Sequence, residues 1–402
     1  MNKLALTFLL TILCVAGARA DKTVPYSHTD SITVDQPNFA TVSFITLSPQ
    51  EMIYSTLGHS SLRLESPFND LDVCCSLEVD VKGVSVGDFI KFFAGRANAH
   101  MYRIPTDMFV DDVRKQGREI NQYELNLTLE QKQRLWQAID IDASRPPHRR
   151  FTYLRDNCTS VLLVFVNQTL APERFEFQWP EHMRGTTTGQ VVRHATRMAD
   201  WNRFLCMTLL GTEADASWPR EQLVAPESLP WILEHARIVS PDGSSRPAIV
   251  GKRQIIPATH TLRFGWLTPM VAFGILFAIT LILTVLDLLG RAPKWVRRFD
   301  IVLLVFQTIA GLLLMWMSFV SGLFGVHWNW YLLVFNPVPA LLWLTCRKRP
   351  WYRHVYLCYT IVLLLVLLGT PLSEQFDLEH QLITAAFALR TGSYALRAYL
   401  KK

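Results

Sequence analysis

Tyr153-Leu154-Arg155-Asp156-Asn157-Cys158-Thr159, continued by the apolar positions Val161, Leu162, Phe165 and Val166, decides how the polar half of this chain is read. Asp156 or Asn157 can cap a helix whose first residue is the cysteine. The β-branched content also permits a strand. The helical reading carries chemistry. Unpaired backbone N–H groups and the helix dipole favour a thiolate at a helix start. The same amides can hold the oxyanion formed by attack on a carbonyl. The ordinary alternative is a buried cysteine acting as a small hydrophobe.

A nucleophilic thiol needs a base, and one stretch a hundred residues earlier offers it. In Gly58-His59-Ser60-Ser61-Leu62-Arg63-Leu64 the apolar residues alternate, so the segment reads as a strand entered from the glycine and histidine. An imidazole on that strand beside a helix-borne thiol suits acyl transfer: His59 takes the thiol proton and returns one to the leaving group. A third residue should orient the ring. Asp72 is the candidate if its strand pairs beside Leu62–Leu64, with Asn69 and Asp70 as further choices. His100, His148, His182 and His194 are rival bases. A metal site from His59, His182 and His194 has no recognisable spacing.

Around these two stretches the pattern is that of an α+β domain. Residues 40–47, 60–65, 73–81, 100–105 and 122–127 read as strands, and 86–94 as a helix ending at Gly95. Pro105-Thr106-Asp107 starts another helix running towards Gly117. Thr128 and Gln131 form a capping box for a helix over 129–139.

The last third of the chain is different. Apolar stretches at 264–289, 301–324, 328–345, 353–370 and 381–400 approach the roughly 20 residues that a spanning helix needs. Arg390 and Arg397 interrupt the fifth. Arg291, Lys294, Arg297 and Arg298 follow the first stretch, and Arg347, Lys348, Arg349 and Arg353 follow the third. The connections at 325–329 and 370–381 lack such clusters. The basic loops belong in the cytoplasm, which leaves the polar domain outside. Of the polar residues in His327-Trp328-Asn329-Trp330-Tyr331-Leu332-Leu333-Val334-Phe335-Asn336-Pro337, His327 fits the outer interface and Asn336 lies deeper. Asn336 is either helix–helix glue at a proline kink or a substrate contact.

The amino terminus agrees with that topology. Lys3, an apolar run over 4–15 and Ala18-Arg19-Ala20 make a secretory signal peptide of residues 1–20. The expected organisation is a signal peptide, an extracytoplasmic domain over 21–260 and a transmembrane domain over 261–402. The net charge of +6 over 402 residues is then an orientation signal, and nucleic acid is excluded as a partner. Of the seven cysteines, Cys14 leaves with the signal. Export permits a bridge between Cys74 or Cys75 and Cys206 without requiring one. No C-x-x-C pair occurs, which argues against structural zinc.

Gly58-His59-Ser60-Ser61-Leu62-Arg63 and Asp156-Asn157-Cys158-Thr159-Ser160 resemble the two hallmark motifs of the DUF4105 family, the Lnb-type N-terminal periplasmic domain. Serine stands here for the last threonine of the second motif. Leu209-Leu210-Gly211-Thr212-Glu213-Ala214-Asp215 and Glu227-Ser228-Leu229-Pro230 look like later segments of that family. The resemblance covers about 35–250, and the layout with its apolar tail is also similar to Lnb-type proteins. It implies a papain-like arrangement, a permuted relative of NlpC/P60 enzymes with His before Cys, ahead of a helical membrane bundle of about five helices. It also implies a lipoprotein transacylase of the bacterial inner membrane, facing the periplasm and needing no cofactor. Cys158 would take an acyl chain from the diacylglyceryl group as a thioester. The α-amine of the lipoprotein's N-terminal cysteine would then receive it.

Membrane lipids and lipoproteins are the expected partners, with envelope proteins as further ones. Arg63, Arg155, Asn157, His327 and Asn336 are the expected substrate contacts; the two arginines serve equally as surface or ion-pair residues. Two other readings use the same residues: a periplasmic cysteine peptidase or amidase acting on peptidoglycan or envelope protein, and a non-enzymatic envelope binding or sensor module.

Overall fold

The computed structural model describes residues 39–400 except 51–54, 80–85, 147, 180, 182–183, 218–225, 260–264, 347 and 350. The signal peptide and His182 therefore lie outside the described residues. The chain forms two compact units. The first comprises 1–185, 219–262 and 322–324, and the second 186–218, 263–321 and 325–402.

The first unit is built on an antiparallel sheet. Its strands are β1 (Thr41–Leu47), β2 (His59–Ser66), β3 (Leu71–Val79), β4 (Asn98–Pro105), β5 (Ile120–Leu125), β6 (Arg149–Arg150) and, late in the chain, β10 (Ile249–Ile256). Their order is β10-β5-β1-β2-β3-β4-β6, and every pair is antiparallel. A second antiparallel sheet joins β7 (Arg174–Glu176), β8 (Arg237–Val239) and β9 (Ser245–Pro247).

Both faces of the large sheet are covered, which explains why its strands alternate only loosely. On one face Val42, Phe44, Leu62, Leu64, Val73 and Cys75 pack with Leu135, Trp136 and Ile139 and with Leu162, Leu163, Phe165 and Val166. On the other, Ile45, Leu47 and Cys74 pack with Phe109 and Val113. The covering helices are α2 (Thr106–Lys115), α3 (Leu129–Ala143) and α4 (Cys158–Thr169). A shorter helix, α1 (Val86–Phe93), stops ahead of Gly95. The expected capping box at Thr128 and Gln131 forms. Cys74 and Cys75 sit on opposite faces, and all six described cysteines are free thiols.

In the second unit α5 (Thr188–Ala195) and α6 (Asp200–Leu209) pack with the apolar tail, although their sequence reads as part of the outer domain. Apolar packing and ion pairs both hold them: Phe204, Trp201 and Leu209 join Phe273, Tyr331 and Phe335 of the tail. Arg193 bonds Glu374 and Asp377, both at 2.6 Å, and Arg203 bonds Glu379 at 3.0 Å. Gly211 approaches the 325–327 turn so closely that a Cβ there would lie 1.8 Å from the His327 carbonyl oxygen. A seventh helix, α7 (Leu229–His235), belongs to the first unit.

Among the described residues three helices are long and apolar enough to cross a membrane: α8 (Pro269–Leu288), α9 (Pro293–Phe319), and α11 (Tyr352–Gly369) with its 3-10 extension to Leu372. The third apolar stretch is not one helix. It is a 3-10 turn (Trp330–Leu333) followed by α10 (Val338–Cys346), broken at Asn336-Pro337. The freed carbonyls of the break are met by side chains. Gln307 donates to the Val334 carbonyl at 2.7 Å, and Tyr359 donates to it at 2.9 Å. Gly311 of α9 admits the Asn336 backbone, where a Cβ would sit 2.5 Å from its Cα. The fifth stretch is α12 (Leu378–Leu400). Its two arginines are neutralised: Arg390 bonds Asp300 at 2.7 Å and Asp287 at 3.3 Å, and Arg397 bonds Asp287.

Candidate active site

The site forms where β2 begins beside the start of α4. Gly58 has φ +86°, and a Cβ on it would lie 2.7 Å from the Leu47 carbonyl oxygen. Only glycine makes that turn without strain. The turn delivers His59 into the strand opposite Leu47.

Asn157 is the N-cap of α4. Its Oδ1 accepts from the Thr159 and Ser160 N–H groups, both at 2.9 Å, and Ser160 Oγ accepts from the Asn157 N–H at 3.1 Å. Its Nδ2 donates to the Tyr153 and Leu154 carbonyls. This 4% exposed side chain thus anchors the helix start to the loop before it. Ser60 and Thr159 hydroxyls meet at 2.9 Å and tie the helix start to β2.

The cap has a consequence for the thiol. Two of the first amides of α4 are occupied by Asn157, and the Val161 N–H already bonds the Asn157 carbonyl. The Ser60 N–H and the N–H of Cys158 itself favour its thiolate, as does the Thr159 hydroxyl. The Ser60 N–H belongs to the peptide that joins it to His59, so thiol and histidine share one peptide's neighbourhood. Cys158 is 7% exposed. Burial pushes its thiol up to about 11, opposed by the Ser60 N–H and reinforced by the charge of Glu78. At neutral pH the resting sulfur is protonated.

The His59 ring reaches across to β3. Its Nε2 lies 3.5 Å from Ser76 Oγ and 3.4 Å from Glu78 Oε1. Burial and the nearby Arg118 charge lower His59 to about 3, so the resting imidazole is neutral. Burial also pushes the Glu78 carboxyl up to about 7. Its side chain is 45% exposed, and solvent there moderates that rise. A thiol, a neutral imidazole and a carboxyl that ionises near neutrality are the parts of a general-base nucleophile.

Asp72 does not join them. It pairs with Glu65 in the β2–β3 ladder, about 20 Å along the strand from Glu78 at 3.3 Å per residue. There it accepts from Arg63 at 2.8 and 2.6 Å and from Thr106 at 2.6 Å. Arg63 also donates to Gln122 at 2.9 Å and is only 8% exposed. The expected third residue and one expected substrate contact are therefore each other's partners in a sheet brace. Glu78 is the carboxylate beside the histidine. The hairpin register puts it there: Ser66 pairs with Leu71 and Leu62 with Cys75, and three further steps place Glu78 across from His59.

Arg155 is exposed, 3.3 Å from Asp156 and with its guanidinium 5.0 Å from the Phe324 ring centre. In the second unit His327 is exposed and donates to the Ser318 carbonyl at 2.9 Å. Asn336 bonds Tyr359 at 3.2 Å, Leu333 at 3.3 Å and the Val338 N–H at 3.2 Å. It is the glue of the helix break. Of the rival bases, His100 pairs across from Glu78 on β4, His148 lies 3.5 Å from Asp142, and His194 is on α5 of the second unit.

A family model of the Lnb N-terminal periplasmic domain matches residues 30–188, and one of the Lnb transmembrane domain matches residues 261–402. No curated protein and no solved structure matches the chain. The two matches in this order, with the three membrane-length helices, make it a multi-pass membrane protein with a large N-terminal periplasmic domain.

Proposed function

We propose that this chain, which belongs to the Lnb family and is a lipoprotein N-terminal transacylase of that type, works through a thioester on Cys158. The observation that carries the residue assignment is the thiol at the start of α4. The peptide N–H between His59 and Ser60 favours its thiolate, and Glu78 lies beside the His59 ring.

His59 takes the proton of Cys158 Sγ as sulfur attacks an ester carbonyl of the diacylglyceryl group. The Ser60 and Cys158 N–H groups hold the developing oxyanion. The carbon–oxygen bond to glycerol breaks, and His59 gives its proton to the leaving hydroxyl. The α-amine of the lipoprotein's N-terminal cysteine then attacks the thioester and His59 takes its proton. The carbon–sulfur bond breaks, and the proton returns to sulfur. The products are an N-acyl lipoprotein with one glycerol hydroxyl freed. The neutral resting pair fits this sequence, since His59 must pick up a proton twice, and Glu78 offsets the charge each time.

The substrate is held in the outer leaflet of the membrane. A membrane-bound enzyme shares that surface, which raises the effective concentration of one for the other. The test is expression of wild type and Cys158→Ala in cells that cannot N-acylate lipoproteins, followed by mass spectrometry of lipoprotein N-termini. N-acyl, lyso-type termini with wild type alone are expected. Identical termini in both strains would overturn the reading.

A further inference from the structure

An apolar wall leads away from the nucleophile, and its contents match no step of the proton chemistry. Leu77, Ala99 and Cys158 form a small buried cluster, against which Val161 and Phe151 pack. The Phe151 N–H donates to the Ala97 carbonyl at 3.0 Å, which holds its backbone beside β4. That ring meets Phe92 of α1 at 6.2 Å between centres, and Phe92 meets Phe93 at 5.5 Å. Ile90, on the same short helix, is 56% exposed.

The position of α1 is set by its C-terminal end. Gly95 has φ +65°, and the Gly322 N–H donates to the Ala94 carbonyl at 2.9 Å. A Cβ on Gly95 would lie 2.4 Å from the Gly322 carbonyl carbon. Two glycines therefore hold α1 with its aromatic residues beside Phe151. The three rings are partly buried.

We propose that Phe151, Phe92 and Phe93 form the seat of the fatty acyl chain while it is bound to Cys158, and that they select its length. This rests on the thioester reading above. A chain leaving the sulfur meets Phe151 first, then the two rings at the C-terminal end of α1, and runs out beside that helix, where Ile90 is exposed. The occupant is a straight hydrocarbon, because the wall carries rings and aliphatic side chains from the thiol outward.

The experiment uses the full-length protein in membranes. Synthetic diacylglyceryl-cysteine peptides carrying dodecanoyl or hexadecanoyl esters compete as substrates, and the acylated amine is measured by mass spectrometry. Phe151→Trp and Phe92→Trp fill the seat. Each should lower the ratio of hexadecanoyl to dodecanoyl transfer about tenfold, the equivalent of roughly two excluded methylenes. Phe92→Leu opens the seat and should move the ratio the other way. Should Phe151→Trp fail to accumulate, the two Phe92 variants on the short helix carry the test. An unchanged ratio in both Phe92 variants, with transfer intact, would overturn the seat and leave the thioester untouched. Absence of any Cys158 acyl adduct in wild type would instead overturn the reading beneath it.

Discussion

Glu78→Gln tests the site at the point where sequence and structure part. The carboxylate lies 3.4 Å from His59 Nε2. At that separation opposite unit charges attract by about 5 kcal/mol for an effective dielectric of 20. Because the Glu78 side chain is 45% exposed, screening reduces this to about 2 kcal/mol. The imidazolium exists only once the thiol proton has moved, so the attraction lowers the barrier and not the resting energy. Thioester formation should slow by about 30-fold in the variant. The assay is single-turnover acylation of Cys158, stopped with acid and read by intact mass, which isolates the first step from titration of the substrate amine. In wild type the rate should rise with pH between 4.5 and about 7, the range within which Glu78 ionises. That limb should be missing in Glu78→Gln. Stability separates this from a structural role. A carboxyl raised from 4.5 to about 7 contributes stability below about 4.5 that is lost as pH rises through 7. At pH 8 the glutamine variant should therefore unfold at no lower temperature than wild type. A variant rate within twofold of wild type with the same pH limb would refute the role given to Glu78.

Asp72→Asn should do the opposite. It leaves the Arg63 guanidinium without its carboxylate and should cost about 2 kcal/mol of stability in thermal unfolding, with acylation per folded molecule unchanged. Asn157→Ala removes the α4 cap and should cost about 1 kcal/mol. Unlike Asp72→Asn it should also slow acylation measurably, because the capped turn carries Cys158. His59 is held neutral down to about 3 against a usual 6.5. Stability present above 6.5 is therefore lost as pH falls towards 3. A His59→Asn variant should show a shallower fall of unfolding temperature over that range than wild type, in a pH series by calorimetry.

The first unit was legible because its local signals agree. The strands at 41–47 and 59–66, the capping box at Thr128 and the helix starting at Cys158 follow from periodicity and cap chemistry that depend on neighbours in the chain. What escaped depends on partners far away. Asp72 and Glu78 have the same residue chemistry and share a face of β3. Only the hairpin register tells which of them meets His59. Arg390 and Arg397 look like interruptions of a helix until Asp287 and Asp300 arrive from two others. Residues 186–218 read as outer domain because their arginines look like surface charge. Their carboxylate partners stand some 180 positions later. The break at Asn336-Pro337 was visible as a proline. Its cost could be judged only with Gln307 and Tyr359 in place.

Transfer, as opposed to hydrolysis, demands more of the site than a nucleophile and a base. A thioester on Cys158 can pass its acyl group to an amine or lose it to water, and water is far more concentrated. The environment of the sulfur bears on that choice. Cys158 is 7% exposed, its nearest apolar neighbours are Leu77, Ala99, Val161 and Phe151, and the two N–H groups that favour its thiolate are both backbone. Such a lining offers an attacking water few hydrogen-bonding partners on its way to the carbonyl. The same lining raises the thiol to about 11, so the feature that protects the intermediate also makes its formation depend on His59 and Glu78. An open polar groove would relax both constraints together. Leu77→Ser should therefore raise the ratio of free fatty acid to N-acylated product while leaving Cys158 able to be acylated. Quantifying both products from one lipopeptide by mass spectrometry reads that ratio. An unchanged partition in a folded Leu77→Ser protein would remove water exclusion from the account and leave amine proximity as the source of selectivity.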